Sequence, residues 1–222
     1  MFEHEKIDIG YEDLVAETSN NGRRYTAPDG NKYPSVTTVL GILNEEAIAA
    51  WRARVGEAEA NRISGIASSR GTLVHEIIED YLNNKDTSGY LPHIQQSLQN
   101  IKPILDKHIT KVYGLEVPLY SKHLGLAGRC DCIGIYDGTP SIIDFKTSRR
   151  VKKAEGISNY FAQMSAYAIM WEERTGMPII NTTIIMDVDN EEPLVFREKR
   201  DNYTELLLNT IKEYNRRKLF QH

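Results

Sequence analysis

The 222-residue chain is poor in cysteine, with only Cys130 and Cys132, and this excludes a disulfide-stapled scaffold. On an expected strand those two side chains, two residues apart, share a face and are poorly placed to bridge, so a reducing compartment is expected. Long apolar runs are also missing. The longest charge-free stretch, Gly156 to Trp171, is sixteen residues and contains Asn159, Gln163 and two serines. A membrane span needs about 20 mostly apolar residues, so a soluble protein without a membrane partner is expected. The opening MFEHEKIDIG has neither a signal-peptide apolar region nor an Arg-rich transit pattern, which fits a cytoplasmic location. Internal repeats and low-complexity tracts are absent, and so is a G-x-x-x-x-G-K-[ST] phosphate loop.

What is present is an ordinary globular composition, 41% hydrophobic and 26% charged, with room for one generous domain. The net charge of −4 hides a basic stretch from Lys146 to Lys153, where five of eight residues are Lys or Arg. A second cluster, Lys212, Arg216, Arg217 and Lys218, lies near the C-terminus. A charge run alone is more often a solvated surface than a nucleic-acid contact.

Residues 1–34 are polar and turn-rich, with a short hairpin expected around Arg23–Tyr25 and Lys32–Tyr33. Apolar spacing predicts helices over Glu45–Ile63, Ser69–Asn83 and Ile94–Val112. The pattern changes at Gly114. Leu115–Ser121, Gly125–Tyr136 and Ser141–Thr147 read as three strands of an antiparallel meander. A helix over Ile157–Thr175 stops at Gly176-Met177-Pro178. Strands over Ile179–Asp187 and Leu194–Glu198 follow, then a helix from Asp201 to about Lys218. The expected fold class is α/β (mixed α+β), with a mixed central sheet flanked by helices. Residues 1–113 form an N-terminal segment and helical lobe, and residues 114–222 the core, in one continuous unit.

The strongest chemical signal is Gly128-Arg129-Cys130-Asp131 followed by Asp144-Phe145-Lys146. A hairpin can bring Asp131 and Asp144 to one end of the sheet, while Asp144 and Lys146 share a face and Phe145 takes the other. Two carboxylates beside an ammonium are costly to bury without a cation, and they suit Mg²⁺ or Mn²⁺. An isolated Asp-x-Lys is nonetheless common as a surface pair. His75, in Gly71-Thr72-Leu73-Val74-His75, lies off the apolar stripe of its helix and offers an imidazole ligand. His75-Glu76-Ile77-Ile78-Glu79 also approximates the zinc-protease H-E-x-x-H, but lacks the second histidine. Gln163 and Tyr167 are i,i+4, with Tyr160 one turn earlier.

Taken in order, Gly-Thr-x-x-His, Glu116, Gly-x-x-Asp, Asp-Phe-Lys and Gln-x-x-x-Tyr resemble the RecB-like branch of the PD-(D/E)xK nuclease superfamily. The likeness runs from Gly71 to Tyr167. Tyr33-Pro34-Ser35-Val36-Thr37-Thr38-Val39-Leu40 further resembles the mitochondrial genome-maintenance exonucleases and related phage exonucleases. The resemblance implies a restriction-endonuclease-like core. It also implies that His75, Asp131, Asp144 and the backbone carbonyl of Phe145 hold one or two Mg²⁺ or Mn²⁺ ions. Glu116 fits a further ligand and a plain strand residue equally. By the same likeness Lys146 is the catalytic lysine, and Gln163 and Tyr167 support the site. With two cysteines the chain has no ligands for the four-cysteine iron–sulfur cluster of some relatives.

The expected activity is ATP-independent, metal-dependent DNA exonucleolysis, on single strands or single-stranded ends, by a monomer in a bacterial or phage-infected cytoplasm. Arg149, Arg150, Lys152 and Lys153 would meet backbone phosphates, and Tyr160, Trp51 or Tyr33 would stack bases. The alternatives are a structure-specific or flap endonuclease of the same fold, and a non-catalytic DNA-end-binding protein.

Overall fold

A computed structural model describes residues 1–220. The two-residue strand β1 (Glu3–His4) precedes a small antiparallel sheet of β2 (Val15–Ser19), β3 (Gly22–Thr26) and β4 (Lys32–Pro34). Helices α1 (Val36–Leu40), α2 (Glu45–Val55), α3 (Glu57–Leu82) and α4 (Pro92–His108) follow. The second half runs β5 (Ile109–Ser121), β6 (Leu126–Tyr136), β7 (Thr139–Ser148), α5 (Ser158–Thr175), β8 (Asn181–Val188), β9 (Leu194–Lys199) and α6 (Asp201–Leu219).

The main sheet has the order β1-β5-β6-β7-β8-β9. β5–β6–β7 is the expected antiparallel meander, and its second turn uses Asp137 and Gly138, both at positive φ. β7 and β8 pair parallel, with α5 as the crossover between them. Alternation along β7 and β8 sends Ile142, Ile184 and Met186 towards α5 and α6. Ile143, Phe145 and Ile185 face α3 and α4, where Val74, Ile77, Leu98 and Leu105 are buried against them. The sheet is therefore mixed, with helices on both faces. No helix among the described residues is long and apolar enough to cross a membrane.

The expected helix boundaries need two corrections. The break after Glu45 falls at Gly56, whose φ of 87° a non-glycine residue reaches only at a cost. Residues 57–82 then form one helix, because Gly65 and Gly71 each cost only about 1 kcal/mol, too little to end it. The helix expected over Ile94–Val112 ends at His108, because Ile109 and Val112 pair with Tyr136 and Gly134 and strand pairing outbids helical periodicity. Three short elements, β1, β2 and α1, had no local signal strong enough to predict them. β1 pairs with residues 111–112, and α1 is capped by Ser35, whose Oγ accepts from the Thr38 amide.

Candidate active site

The site lies where the sheet splits. β6 and β7 pair from Tyr136↔Thr139 to Cys132↔Ile143 and then part. The amide of Phe145, freed from the ladder, donates instead to Asp131 Oδ2 at 2.9 Å. On the other side of β6, Leu115 pairs with Cys132 and Val117 with Cys130, which sets Glu116 across from Asp131. Both strands turn over at this point. Leu115 and Cys132 pack towards α3 and α4, whereas Val117 and Cys130 pack towards α5. The two cysteines are thus buried and free in opposite cores, and do not share a face as plain alternation predicts. Glu116 makes the turn at φ 48°, a left-handed conformation that costs a non-glycine residue about 1–3 kcal/mol and is concentrated at functional sites.

The turnover brings Glu116 and Asp131 to α3. Ligand atoms of His75, Glu116 and Asp131 lie within 4.8 Å of one another, with His75 Nδ1 3.5 Å from Asp131 Oδ2. Asp144 is buried at 2% exposure and adjoins this cluster from β7. Its Oδ1 accepts from Gln163 Nε2 at 3.3 Å. Its Oδ2 lies 2.5 Å from Lys146 Nζ in a buried ion pair. The Lys146 ammonium also sits 5.3 Å from the centre of the Tyr160 ring. Tyr167 reaches the site across Gly128, where an added Cβ would stand 2.8 Å from its ring.

The electrostatics are those of an over-supplied carboxylate cluster. Burial, and then the charge of Asp131, push Glu116 up to about 7. Burial also raises Asp144, with Asp131 adding to it and Lys146 opposing. Burial works against the Lys146 ammonium, but Asp144 and Asp131 outweigh it and its pKa is raised. Three carboxylates against one ammonium leave two formal negative charges uncompensated. Carboxylate oxygens and one imidazole nitrogen form a donor set that fits a hard divalent cation such as Mg²⁺ or Mn²⁺.

These groups sit in and under a cleft of about 740 Å³. Ser68, Thr72 and His75 of α3 form one wall, and Arg23, Tyr25 and Thr37 the other. Lys146, Tyr160, Gln163 and Tyr167 also line it. Arg149, Arg150, Lys152 and Lys153 are exposed on the segment after β7 and do not line the cleft. Tyr33 stacks on Tyr120 and donates to Asp29, so its ring is already engaged, and Trp51 lies on α2 away from the cleft. Arg23, Tyr25 and Arg129 were missed by sequence reasoning, since no motif marks them and only the packing of β3 beside β6 brings the first two to the site.

The sequence model of the PD-(D/E)XK nuclease superfamily matches residues 88–214. The chain belongs to this superfamily. The match takes in Glu116, Asp131, Asp144, Lys146, Gln163 and Tyr167 and begins after His75. PD-(D/E)XK nucleases use divalent metals, in keeping with the donor set, and membership displaces the truncated zinc-protease reading of His75-Glu76. Among solved structures, the chain is similar to a Eubacterium rectale protein provisionally named an exonuclease, at 16% identity and a TM-score of 0.48. That match covers 68% of this chain and 66% of the other, so the chain spans just under two thirds of that structure. Similarity to the structure named SSO0001 is weaker, at 17% identity and a TM-score of 0.33, covering 63% of this chain and 72% of that one. No curated protein matches the sequence.

Proposed function

We propose that this nuclease is a Mg²⁺- or Mn²⁺-dependent DNA exonuclease that digests single-stranded DNA from a free end without ATP. The observation that carries the reading is the convergence of His75, Glu116 and Asp131 beside the buried Asp144–Lys146 pair. The cleft above them supports a strand end as substrate. Its volume is that of a small-ligand pocket, about 300–1,000 Å³, and walls rise on two sides of it. The sequence has no G-x-x-x-x-G-K-[ST] phosphate loop, which supports the ATP-independent reading.

In this reading His75, Glu116, Asp131, Asp144 and the Phe145 carbonyl would hold the metal. When bound, a divalent ion polarises the scissile phosphate and acidifies a water molecule. Lys146, charged and pinned by Asp144 and Tyr160, stabilises the negative charge that develops on the phosphoryl oxygens. Gln163 holds the Asp144 carboxylate in orientation, and Tyr167 closes the cleft floor beside Gly128. Arg149, Arg150, Lys152 and Lys153 draw the DNA backbone to the mouth, a sequence-independent and salt-sensitive attraction.

The test is digestion of end-labelled single strands, duplexes and closed single-stranded circles with Mg²⁺, Mn²⁺ or EDTA, with Asp144→Asn and Lys146→Ala alongside. The expected result is metal-dependent loss of linear single strands, sparing circles and abolished in both variants. Cutting of circles would replace the exonuclease with an endonuclease. DNA binding without cleavage of any substrate would leave an end-binding protein.

A further inference from the structure

Glu116 is the one cluster residue held in a costly backbone conformation, and the groups that hold it come from elsewhere in the chain. Its carbonyl leaves the β5–β6 ladder at the turnover and accepts from Arg129 Nη1 at 3.0 Å. The other terminal nitrogen of Arg129, Nη2, lies 2.5 Å from Asp13 Oδ1. Asp13 belongs to the segment between β1 and β2, which is fixed against β5 on either side of it. The Tyr11 hydroxyl donates to the Pro118 carbonyl at 3.0 Å, and Leu14 is buried with Tyr25 and Tyr120. Arg129 therefore spans a fixed N-terminal carboxylate and the strained carbonyl, with both ends of its guanidinium occupied.

We infer that Arg129, anchored by Asp13, is a positioning residue that holds the left-handed turn of Glu116 and so presents its carboxylate to the metal beside His75 and Asp131. The inference rests on the metal-site reading above. It assigns the N-terminal segment, which lies outside the residues matched by the family, a part in assembling the site. A lysine is a poor replacement, because its single nitrogen cannot occupy the places of both Nη1 and Nη2 and reaches one partner at the expense of the other.

The test uses the full chain and Mn²⁺ alone, without DNA, and reads the Mn²⁺ dissociation constant by calorimetry or by the electron paramagnetic resonance of the free ion. Arg129→Met is expected to weaken Mn²⁺ binding about tenfold, the usual scale for groups that orient metal ligands. Arg129→Lys is expected to do nearly the same, and Asp13→Asn, an exposed change that leaves the fold intact, to give a smaller loss in the same direction. Arg129→Met added to Glu116→Gln should weaken binding no further than Glu116→Gln alone, because both act through one carboxylate. A merely structural arginine would lower the melting temperature without this coupling. Wild-type-like Mn²⁺ affinity in both Arg129→Met and Asp13→Asn, or additive losses in the double variant, would overturn the inference while leaving the metal site standing. Failure of the wild type to bind Mn²⁺ would overturn both.

Discussion

Replacing Gly128 with alanine tests whether the two halves of the site are locked together by contact. Gly128 is not at positive φ, so its backbone tolerates alanine, and the substitution alone would stabilise the fold by about 0.4–1 kcal/mol through the unfolded chain. Against this, the new Cβ would lie 2.8 Å from Tyr167 Cε1 and 2.9 Å from its hydroxyl oxygen. The Tyr167 ring is rigid and 3% exposed, and its helix is packed along the sheet, so it cannot swing aside as a surface side chain would. Overpacking of this kind costs about 1–3 kcal/mol, enough to outweigh the backbone gain. Activity should fall further than stability does. Gln163, one turn before Tyr167, holds Asp144 by a hydrogen bond already 3.3 Å long, and displacement of α5 by a few tenths of an ångström would break it. Misplacement approaching 1 Å at a reacting centre can cost about a hundredfold. Urea unfolding at constant slope measures the first quantity, and digestion of a labelled single strand the second. Gly128→Ala should instead stabilise by about 0.4–1 kcal/mol in a Tyr167→Leu background, where the clashing ring atoms are gone. A Gly128→Ala protein as stable and as active as wild type would refute the contact argument.

Three other outcomes follow from the same geometry. Arg70→Met leaves Asp187, 2% exposed, with only Asn100 as partner; stability should drop by about 3–5 kcal/mol in urea unfolding, and a loss under about 1 kcal/mol would show that the pair does not anchor α3. Tyr160→Phe should turn over like wild type, whereas Tyr160→Leu, losing a cation–π contact worth about 0.5–2 kcal/mol, should lower kcat severalfold at unchanged KM; a raised KM would instead mark Tyr160 as a base-stacking residue. Burial and Asp131 hold Glu116 near 7, above its ordinary value, so in EDTA its contribution to stability is fully present below its unfolded pKa and lost as pH rises through the folded one. The melting temperature in EDTA should therefore fall between pH 5 and 8, Glu116→Gln should flatten that fall, and a wild-type profile that rises through this window would contradict the assignment.

How much was legible in the sequence depends on the range over which each feature is encoded. β7 and β8, α5 and α6 could be read because residues within one element declare its face, as Ile142, Asp144 and Lys146 do against Ile143 and Phe145. The Asp137-Gly138 and Gly176-Met177-Pro178 punctuation bounded them from the chain itself. His75, Asp131 and Lys146 were recognisable only as members of an ordered series, since each alone is an ordinary surface residue. The register at the site was not readable, and the reason is physical. Cys130-Asp131-Cys132 looks like regular alternation with one polar residue facing out, yet the strand turns over between its two cysteines. Such a turnover is stable only when the paired strand does the same, and β5 does so through a left-handed Glu116 whose carbonyl is held by a guanidinium from β6 and a carboxylate from the N-terminal segment. Local propensity argues against a left-handed glutamate, and its partners lie 13 and 103 residues away in the chain. A site that gathers carboxylates against their mutual repulsion needs such non-local restraint, so the residues that do the gathering leave the weakest trace in the sequence.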